Sequence, residues 1–289
     1  MDVIRGRFAP TPSGPLHFGS LIAALGSYLH SKSRGGQWFV RIDDLDTDRT
    51  IPGIGSDILR TLETFGLHWD GEVLYQSSRI AAYNEAIEQL SAKDLIYFCS
   101  CSRKEVGHNP YPGTCRKGPS NDERNPSVRL LTNNKPVEFH DLKQGIFRQN
   151  IEAEIGDFVI KRADGYIAYH LATVVDDEWQ QITEVVRGAD LLDSTPRQIY
   201  LQRLLGFQQP DFLHLPVATD ENGQKLNKSN GALSLDQTPF RPSQLICQAL
   251  HFLGQNPPEN LQQKNVEHCI KWGLEHWNIN LVPKEKGHD

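Results

Sequence analysis

The opening residues alternate in the way expected of a strand and then change to a helical period. Residues 3–8 alternate apolar and polar side chains, a turn rich in Pro, Gly and Ser follows, and residues 19–29 are mostly apolar. Residues 37–42 form a second short apolar segment. A strand, a helix and a strand in close succession are typical of a right-handed parallel unit. The pattern therefore predicts an α/β fold built on a Rossmann-like, doubly wound parallel sheet.

Alternating predicted helices and strands continue along most of the chain. Apolar periods predict further helices at residues 53–65, 79–93, 195–205, 242–253 and 260–277. Pro196 at the first position of the helix at 195–205 and Gly206 just beyond its end support its bounds. Short apolar runs predict strands at residues 95–98, 182–186 and 212–218. Core-like patterning also returns at residues 156–161 and 167–177, on either side of Asp164-Gly165, a pair typical of a hairpin turn.

The middle of the chain has a different character. Between residues 99 and 149, Pro, Gly, Asn and charged residues dominate, and only residues 128–131 and 137–140 resemble strands. Such a segment between two stretches of core-like patterning indicates an α+β insertion. We therefore predict one domain in two halves, residues 1–98 and 171–240, interrupted by an inserted module at 99–170. Residues 241–289 would form a short helical C-terminal segment.

Composition narrows the class of protein. The apolar and charged fractions, 38% and 23%, are ordinary for a globular enzyme, and no apolar run approaches the roughly 20 residues of a membrane span. The first residues lack a basic patch followed by an apolar stretch, which predicts a cytoplasmic protein. The net charge of −6 argues against indiscriminate coating of nucleic acid. We expect a monomer with no membrane partner.

A local basic surface is still possible in this acidic chain. Nine cations face five acids between Cys99 and Arg148. The pattern indicates either a surface that handles a polyanion or an ordinary solvated surface, and charge alone leaves both interpretations open. The cations are Arg103, Lys104, Arg116, Lys117, Arg124, Arg129, Lys135, Lys143 and Arg148.

The first turn is a candidate phosphate site. It joins a strand directly to a helix, so the unpaired N–H groups and the positive end of that helix face whatever lies over the turn. Three spaced glycines, the mark of a dinucleotide site, are absent from this turn. His17 precedes Gly19 by two residues, and a cationic segment, Lys225-Leu-Asn-Lys228-Ser229, lies far downstream.

Three cysteines form a candidate metal site. Cys99, Cys101 and Cys115 fall in one loop-rich segment, whereas Cys247 and Cys269 lie far away in sequence. Clustered thiols in a cytoplasmic chain more often bind a metal than form a disulfide. A bound Zn²⁺ would stabilise an irregular module by linking its loops. The alternative is a set of reduced thiols. On donor chemistry His108 is the favoured fourth ligand, since an imidazole binds zinc better than a phenol.

The His17-Phe-Gly-Ser and Lys225-Leu-Asn-Lys228-Ser segments together resemble the paired nucleotide signatures of class I aminoacyl-tRNA synthetases. The resemblance implies ATP as substrate, accompanied by Mg²⁺. It implies catalytic roles for His17, Lys225 and Lys228, and ATP binding by His17, Gly19, Ser20 and Lys228. Asn227 stands where that family usually carries Ser.

Three further segments resemble the glutamate-specific members of the family, namely residues 7–14, 41–44 and 185–190. By this resemblance Arg7 and Arg187 would bind the carboxylates of L-glutamate, and Asp43 its ammonium group. Asp43 departs from the Glu usual at that position. Asp43 and Asp44 should face opposite sides of their strand, so one of them is expected to be structural. The implied glutamate-binding set is Arg7, Phe8, Ala9, Pro10, Thr11, Asp43, Tyr169 and Arg187.

The cysteine spacing, with Tyr111 between Cys101 and Cys115, resembles the zinc site of a shortened branch of the glutamyl-tRNA synthetases. This resemblance implies Zn²⁺ ligands Cys99, Cys101, Tyr111 and Cys115, with His108 in reserve. Residues 241–289 are too few for a separate anticodon-binding domain. The branch implies ATP-dependent glutamate activation and transfer to queuosine in the anticodon of tRNA(Asp). It also implies that the two halves at 1–98 and 171–240 form the catalytic domain, and that 99–170 is a zinc-binding, RNA-contacting module. The alternatives are acylation of a tRNA 3' end and a non-catalytic, zinc-containing RNA-binding paralogue.

Overall fold

The opening of the chain folds as its sequence predicts. A computed structural model describes residues 3–107, 110–218 and 233–285. Strand β1 (Arg5–Phe8) leads through the turn into helix α1 (Phe18–Lys32), and β2 (Gln37–Ile42) returns parallel to β1, with Arg5 opposite Gln37. A short strand β3 (Leu74–Tyr75) extends this parallel sheet beyond β2. The predicted strand-helix-strand unit is therefore confirmed.

A second sheet stands beside the first. Strands β9 (Glu184–Gly188) and β10 (Asp211–Leu215) are parallel along their whole length. On the other side of β10 lies β6 (Val137–Asp141), which is parallel to it, followed by β7 (Gly145–Gln149), which is antiparallel to β6. The backbone N–H of Thr183 donates to the Arg5 carbonyl at 3.0 Å, which connects β9 to β1. The four parallel strands β1, β2, β9 and β10 are thereby brought together.

The hairpin of β6 and β7 belongs to this second sheet. The sequence predicts residues 137–140 as a short strand within the insertion, and it does not predict β7, whose partly exposed residues carry a weak apolar signal. A third, antiparallel sheet is formed by β4 (Ile96–Cys99), β5 (Ser127–Leu130) and β8 (Phe158–Lys161). The middle of the chain thus contributes strands to two different sheets.

The turn at Asp164-Gly165 is present, but its second arm is a helix. The Gly165 N–H donates to the Arg162 carbonyl at 3.0 Å, and one bridge joins Lys161 to Ile167. The chain then enters helix α6 (Tyr169–Trp179). A short apolar run has the same pattern in a buried strand and in a buried helix. The pattern of residues 171–175 therefore does not predict which of the two forms.

The other helices lie close to their predicted positions. They are α2 (Ile54–Thr64), α3 (Ile80–Ser91), α7 (Thr195–Leu205) and α8 (Pro242–Phe252). Two short helices that the sequence does not predict, α4 (Arg103–Val106) and α5 (Ile151–Glu154), lie in the middle of the chain. Gly206 ends α7 with φ 78°, as the predicted C-cap requires. The single helix predicted at residues 260–277 is instead a 3₁₀ turn (Glu259–Gln263) followed by α9 (Val266–His276).

The C-terminal helices complete the core around α1. Leu25 and Leu29 of α1 share one apolar cluster with Leu250 of α8 and Ile270 of α9. A second cluster joins α3, α6 and α7 to β5, β6 and β10. In the described residues, no helix combines the length and apolar character that crossing a bilayer would need.

Candidate functional site

One cavity of about 810 Å³ opens where β1, β2, β9 and β10 end. Ligand sites of open α/β sheets occur at this carboxyl edge, because the loops that follow the strands converge there. Most of the residues predicted to bind glutamate or ATP line it. These are Arg7, Phe8, Ala9, Pro10, Thr11, His17, Gly19, Ser20, Asp43, Tyr169 and Arg187. The predicted Lys225 and Lys228 lie outside the described residues.

Arg187, in β9, faces the cavity with a guanidinium held only by neutral acceptors. Its Nε donates to Nε2 of His214 at 3.1 Å, and its Nη2 to Thr195 Oγ1 at 2.8 Å. Its Nη1 donates to the Tyr169 hydroxyl at 3.3 Å, and the Leu191 carbonyl accepts a fourth bond. Burial lowers the pKa of Arg187. Among the described residues, no carboxylate forms an ion pair with it.

Arg7, on the neighbouring strand β1, is held differently. Its Nε and Nη2 donate to the two carboxylate oxygens of Asp177 in α6, at 3.1 and 3.2 Å. The Nη1 of Arg41 donates to the same carboxylate at 2.6 Å. Burial alone would raise the pKa of Asp177, but the two guanidinium charges hold it below its usual value. The sequence patterns did not assign Asp177 to the site, although it ends the core-like stretch at residues 167–177.

Asp43 lies directly after β2 and completes this charged group. Its Oδ1 accepts from Arg41 Nε at 2.8 Å, while its Oδ2 has no hydrogen-bond donor among the described residues. Burial raises the pKa of Asp43 to about 6, although Arg41 opposes the shift. Asp44 points elsewhere, and its two oxygens accept from the N–H and hydroxyl of Ser77. The two acids thus face different surroundings, as expected of successive strand residues, and only Asp43 lines the cavity.

The N-terminus of α1 forms the opposite wall of the cavity. His17 precedes the helix, and Gly19 and Ser20 in its first turn line the cavity. The first turn contains no acidic residue that would neutralise the positive end of the helix dipole. The geometry is that of an anion site.

The described residues that flank the lysine segment also lie at this wall. Ala218, the last described residue before it, lines the cavity. After it, Ser234 forms a β-bridge with His17, and the N–H of Leu235 donates to the Leu16 carbonyl at 2.9 Å. The strand predicted to precede this segment is β10, which ends at Leu215. The described residues on both sides of residues 219–232 therefore lie beside the anion site.

The three clustered cysteines converge as predicted. The sulfur atoms of Cys99, Cys101 and Cys115 all lie within 4.8 Å of one another, and those of Cys101 and Cys115 are 3.5 Å apart. The Tyr111 hydroxyl lies 3.3 Å from the Cys99 sulfur and 3.8 Å from that of Cys101. Burial opposes ionisation of Cys115, but hydrogen bonds from Ser120 lower its pKa to about 6. His108 lies outside the described residues.

Tyr111 is fixed by the backbone around it. Its N–H donates to the Ile155 carbonyl at 2.9 Å, and its backbone pairs with Gly156 in a β-bridge. A Cβ at Gly156 would come within 2.4 Å of the Tyr111 carbonyl, so the close approach requires glycine. The guanidinium of Arg129 lies 3.8 Å above the Tyr111 ring. The phenol is therefore held against the sulfur atoms.

Several cations of the basic middle segment have structural partners. Arg116 binds both carboxylate oxygens of Asp157, at 2.6 and 2.8 Å. Arg124 pairs with Glu105, and Arg129 is buried over Tyr111. The local excess of positive charge counted from the sequence thus overstates the charge available to an external polyanion.

Known proteins resemble this chain over most of its length. Residues 3–266 match the family described as tRNA synthetases class I (E and Q), catalytic domain. A glutamyl-Q tRNA(Asp) synthetase of Dechloromonas aromatica is 49% identical over 291 residues, covering 97% of this chain and 96% of the relative. A protein of the same name from Geobacter sulfurreducens is 47% identical, covering 96% and 93%.

Solved structures agree with this relationship. The crystal structure of a glutamate tRNA ligase from Elizabethkingia meningosepticum, in complex with its amino acid, superposes with a TM-score of 0.82 at 26% identity. The match covers 98% of this chain and 66% of that one. The chain therefore spans about two thirds of the length of that ligase, while it spans nearly all of the two sequence relatives.

Proposed function

Because the chain belongs to the class I family of glutamyl- and glutaminyl-tRNA synthetase catalytic domains, we propose that it activates L-glutamate with ATP and transfers it to queuosine of tRNA(Asp). The observation that carries this proposal is one cavity lined both by Arg187, whose hydrogen bonds all go to neutral acceptors, and by the N-terminal turn of α1. An acidic amino acid and a triphosphate need these two features side by side.

In this proposal Arg187 binds one carboxylate of glutamate. Its partners are all neutral, so it retains its charge for an anion. Asp43 Oδ2 accepts from the ammonium group, and the hydroxyl of Tyr169 forms part of the wall. Arg7 would contact the second carboxylate through Nη1, since Asp177 occupies its Nε and Nη2. The set of predicted glutamate ligands thus remains compatible with the geometry, with Asp177 added as the residue that holds Arg7.

The helix N-terminus at Gly19 and Ser20, together with His17, would receive the phosphates of ATP. Mg²⁺ would accompany the triphosphate and shield its charge. We further propose that Lys225 and Lys228 act there, because Ala218, before their segment, lines the cavity, and Ser234, after it, pairs with His17.

The chemistry follows from these positions. A carboxylate oxygen of glutamate attacks the α-phosphorus of ATP, the bond from that phosphorus to the bridging oxygen breaks, and pyrophosphate leaves with its electron pair. Fixed cations and helix N–H groups stabilise the charge that accumulates on phosphate oxygens. A hydroxyl of the cyclopentenediol of queuosine then attacks the acyl carbon, loses its proton, and releases AMP.

The choice of RNA acceptor rests on the two relatives whose names specify tRNA(Asp) and on the length that this chain shares with them. The decisive experiment measures transfer of radiolabelled glutamate to tRNA(Asp) that contains queuosine and to the same tRNA without it. We expect transfer only to the modified tRNA. Equal transfer to both would favour acylation of the 3' end, and absence of glutamate-dependent pyrophosphate exchange would favour a non-catalytic RNA-binding protein.

We also propose that Cys99, Cys101, Cys115 and Tyr111 hold one structural Zn²⁺. Four ligands at tetrahedral zinc, with Zn–S bonds of about 2.3 Å, require sulfur atoms roughly 3.8 Å apart, close to the separations here. The Tyr111 hydroxyl occupies a suitable fourth corner. Ser120 is close to two of the sulfur atoms but is shared between them at 3.6 and 3.7 Å.

Metal analysis of purified variants tests this site. We expect about one zinc per chain in the wild type, none in Cys101→Ala, and weaker retention against a chelator in Tyr111→Phe. Cys247→Ala removes a thiol outside the cluster and should retain the metal. Full zinc content in Cys101→Ala would exclude the proposed ligand set. Unchanged retention in Tyr111→Phe would instead return the fourth position to His108.

A further inference from the structure

A buried chain of hydrogen bonds lies behind Arg187, away from the cavity. Arg187 Nε donates to His214 Nε2 at 3.1 Å, and Nδ1 of His214 lies 2.6 Å from Oδ2 of Asp141. The side chains of His214 and Asp141 are completely buried. Neither of them lines the cavity, and the sequence patterns assign neither of them to a functional site.

The chemistry of the three groups fixes where the imidazole proton lies. A guanidinium can only donate, so Nε2 of His214 must accept and carries no proton. Nδ1 must then carry the proton and donate to Asp141. The carboxylate of Asp141 is itself held by the backbone N–H groups of Lys143, Gln144 and His214, at 2.8 to 3.3 Å. This arrangement sets the tautomer in the same way as the outer partners of metal-binding histidines do.

We propose that Asp141 and His214 are positioning residues for the carboxylate-binding Arg187: Asp141 sets the tautomer of His214, and His214 orients the guanidinium with a neutral acceptor. The inference rests on the proposed function, since it takes the carboxylate of glutamate as the ligand of Arg187. A carboxylate in the place of His214 would orient Arg187 equally well but would neutralise it. The neutral imidazole gives orientation without that loss.

The topology explains how a residue of the middle segment reaches this site. Asp141 ends β6 and lies opposite Phe212 in β10, two residues before His214. The side-chain amide of Gln144 donates to the His214 carbonyl at 2.7 Å, which ties the turn after β6 to the same strand. Burial lowers the pKa of His214, in agreement with a neutral ring. The β6–β7 hairpin thus supports the cavity from outside.

Asp141→Asn is the sharpest test, because it nearly preserves the shape of the side chain and replaces one acceptor oxygen with a donor NH₂ group. The Asn oxygen can still accept from the backbone of Lys143 and Gln144, while its NH₂ group faces Nδ1 and forces the imidazole proton onto Nε2. That proton would point at Arg187. In glutamate-dependent ATP–pyrophosphate exchange we expect the KM for glutamate to rise roughly 10- to 100-fold, with the KM for ATP changed by less than about twofold.

Two variants of His214 separate orientation from simple stability. His214→Gln can present an oxygen near the Nε2 position, so adding Asp141→Asn to it should change the KM for glutamate by less than about threefold. His214→Asn keeps a donor toward Asp141 but presents no acceptor to Arg187, so it should match Asp141→Asn. These two single variants decide the question even if Asp141→Asn does not fold. Asp157→Asn, a buried acid in another part of the chain, is the matched control and should leave both KM values unchanged.

The proposal is overturned if Asp141→Asn raises both KM values equally, if it lowers only the melting temperature, or if His214→Asn and His214→Gln behave alike. These outcomes compare variants with an active wild type. A wild-type protein that exchanges no pyrophosphate with glutamate would instead contradict the proposed function, and it would remove the premise of this inference.

Discussion

The two arginine-bearing ends of the cavity are built in opposite ways. At the Arg7 end, Asp177 receives hydrogen bonds from Arg7 and Arg41, and Asp43 receives another from Arg41. At the Arg187 end, the acceptors are an imidazole, two hydroxyls and a carbonyl. The same side chain is therefore neutralised by its surroundings in one place and left charged in the other.

This difference suits a ligand that carries both signs of charge. An ammonium group needs the carboxylate oxygen that Asp43 leaves available, and a carboxylate needs a guanidinium that is not already paired. A buried guanidinium whose hydrogen bonds all go to neutral groups is costly, although the carboxylates of Asp177 and Asp190 attract it from a distance, so an anion bound at the Arg187 end should stabilise the protein. The comparison teaches that the partners of an arginine decide its role more than its own position does.

The largest expected effect comes from breaking the paired end. Asp177→Asn replaces the carboxylate that Arg7 and Arg41 share with a neutral amide. Arg41 keeps Asp43 as a partner, whereas the buried Arg7 loses its only ion pair among the described residues. The free energy of unfolding should fall by about 3–5 kcal/mol, as for other buried ion pairs that lose one partner. Urea denaturation measures it.

Asp44→Asn is the control for Asp177→Asn, since Asp44 binds only the N–H and hydroxyl of Ser77. It should cost about 1 kcal/mol, the usual value of a lost cap. If both variants lose the same small amount, Asp177 does not compensate the two guanidinium groups, and the contrast between the ends disappears.

Breaking the unpaired end should affect activity and spare stability. Arg187→Ala removes the proposed partner of a substrate carboxylate, and kcat/KM for glutamate in pyrophosphate exchange should fall roughly 100- to 1,000-fold. The free energy of unfolding should change by less than about 1 kcal/mol, because no described carboxylate is left unpaired. Steady-state kinetics and urea denaturation of the same preparation measure the two quantities.

Arg197→Ala is the matched control for Arg187→Ala. Arg197 is also partly buried, but its guanidinium donates only to the Asp193 carbonyl among the described residues, and it does not line the cavity. Its loss should leave glutamate activation nearly unchanged. A large loss of stability in Arg187→Ala would indicate that Arg187 is a structural residue.

Sequence reasoning succeeded where local chemistry determines structure. The turn before α1, the pair Pro196 and Gly206 around α7, and the convergence of three cysteines all follow from short segments with their own physical signals. The residues predicted to bind glutamate also converge, because each lies at the end of a strand or the start of a helix that the sequence marks.

The residues that the sequence did not identify contact partners that are distant along the chain. Asp177 appears in the sequence as the last acid of a core-like stretch, and His214 as an alternate residue of a strand, so neither differs from an ordinary surface or core residue. Asp141 was counted among the acids of the middle segment, although it is buried behind Arg187. Partners that are 27 and 73 residues apart leave no local pattern, and only the register of β6 and β10 brings them together.

The smallest expected effect concerns Asp43, which connects the paired end to the ligand. Burial raises its pKa to about 6 from an ordinary value of 3.8, with Arg41, Asp176 and Arg7 as the charged neighbours. A carboxyl group whose pKa is raised on folding stabilises the protein at low pH, and that contribution is lost as pH rises through about 6. Glutamate binding should follow the opposite course, because only the ionised form attracts an ammonium group. We expect the KM for glutamate to fall roughly tenfold between pH 5 and pH 7, as measured by pyrophosphate exchange.

Asp43→Asn isolates this titration, since Asn can still accept the Arg41 hydrogen bond but cannot ionise. Its KM for glutamate should be high and should lack the inflection near pH 6, and its stability relative to the wild type should increase by roughly 2 kcal/mol between pH 4 and pH 7. The two trends have opposite signs, so a general effect of pH on folding cannot produce both. An inflection of KM that persists in Asp43→Asn would assign the ammonium contact to another group, and the paired end of the cavity would then be a purely structural support for Arg7.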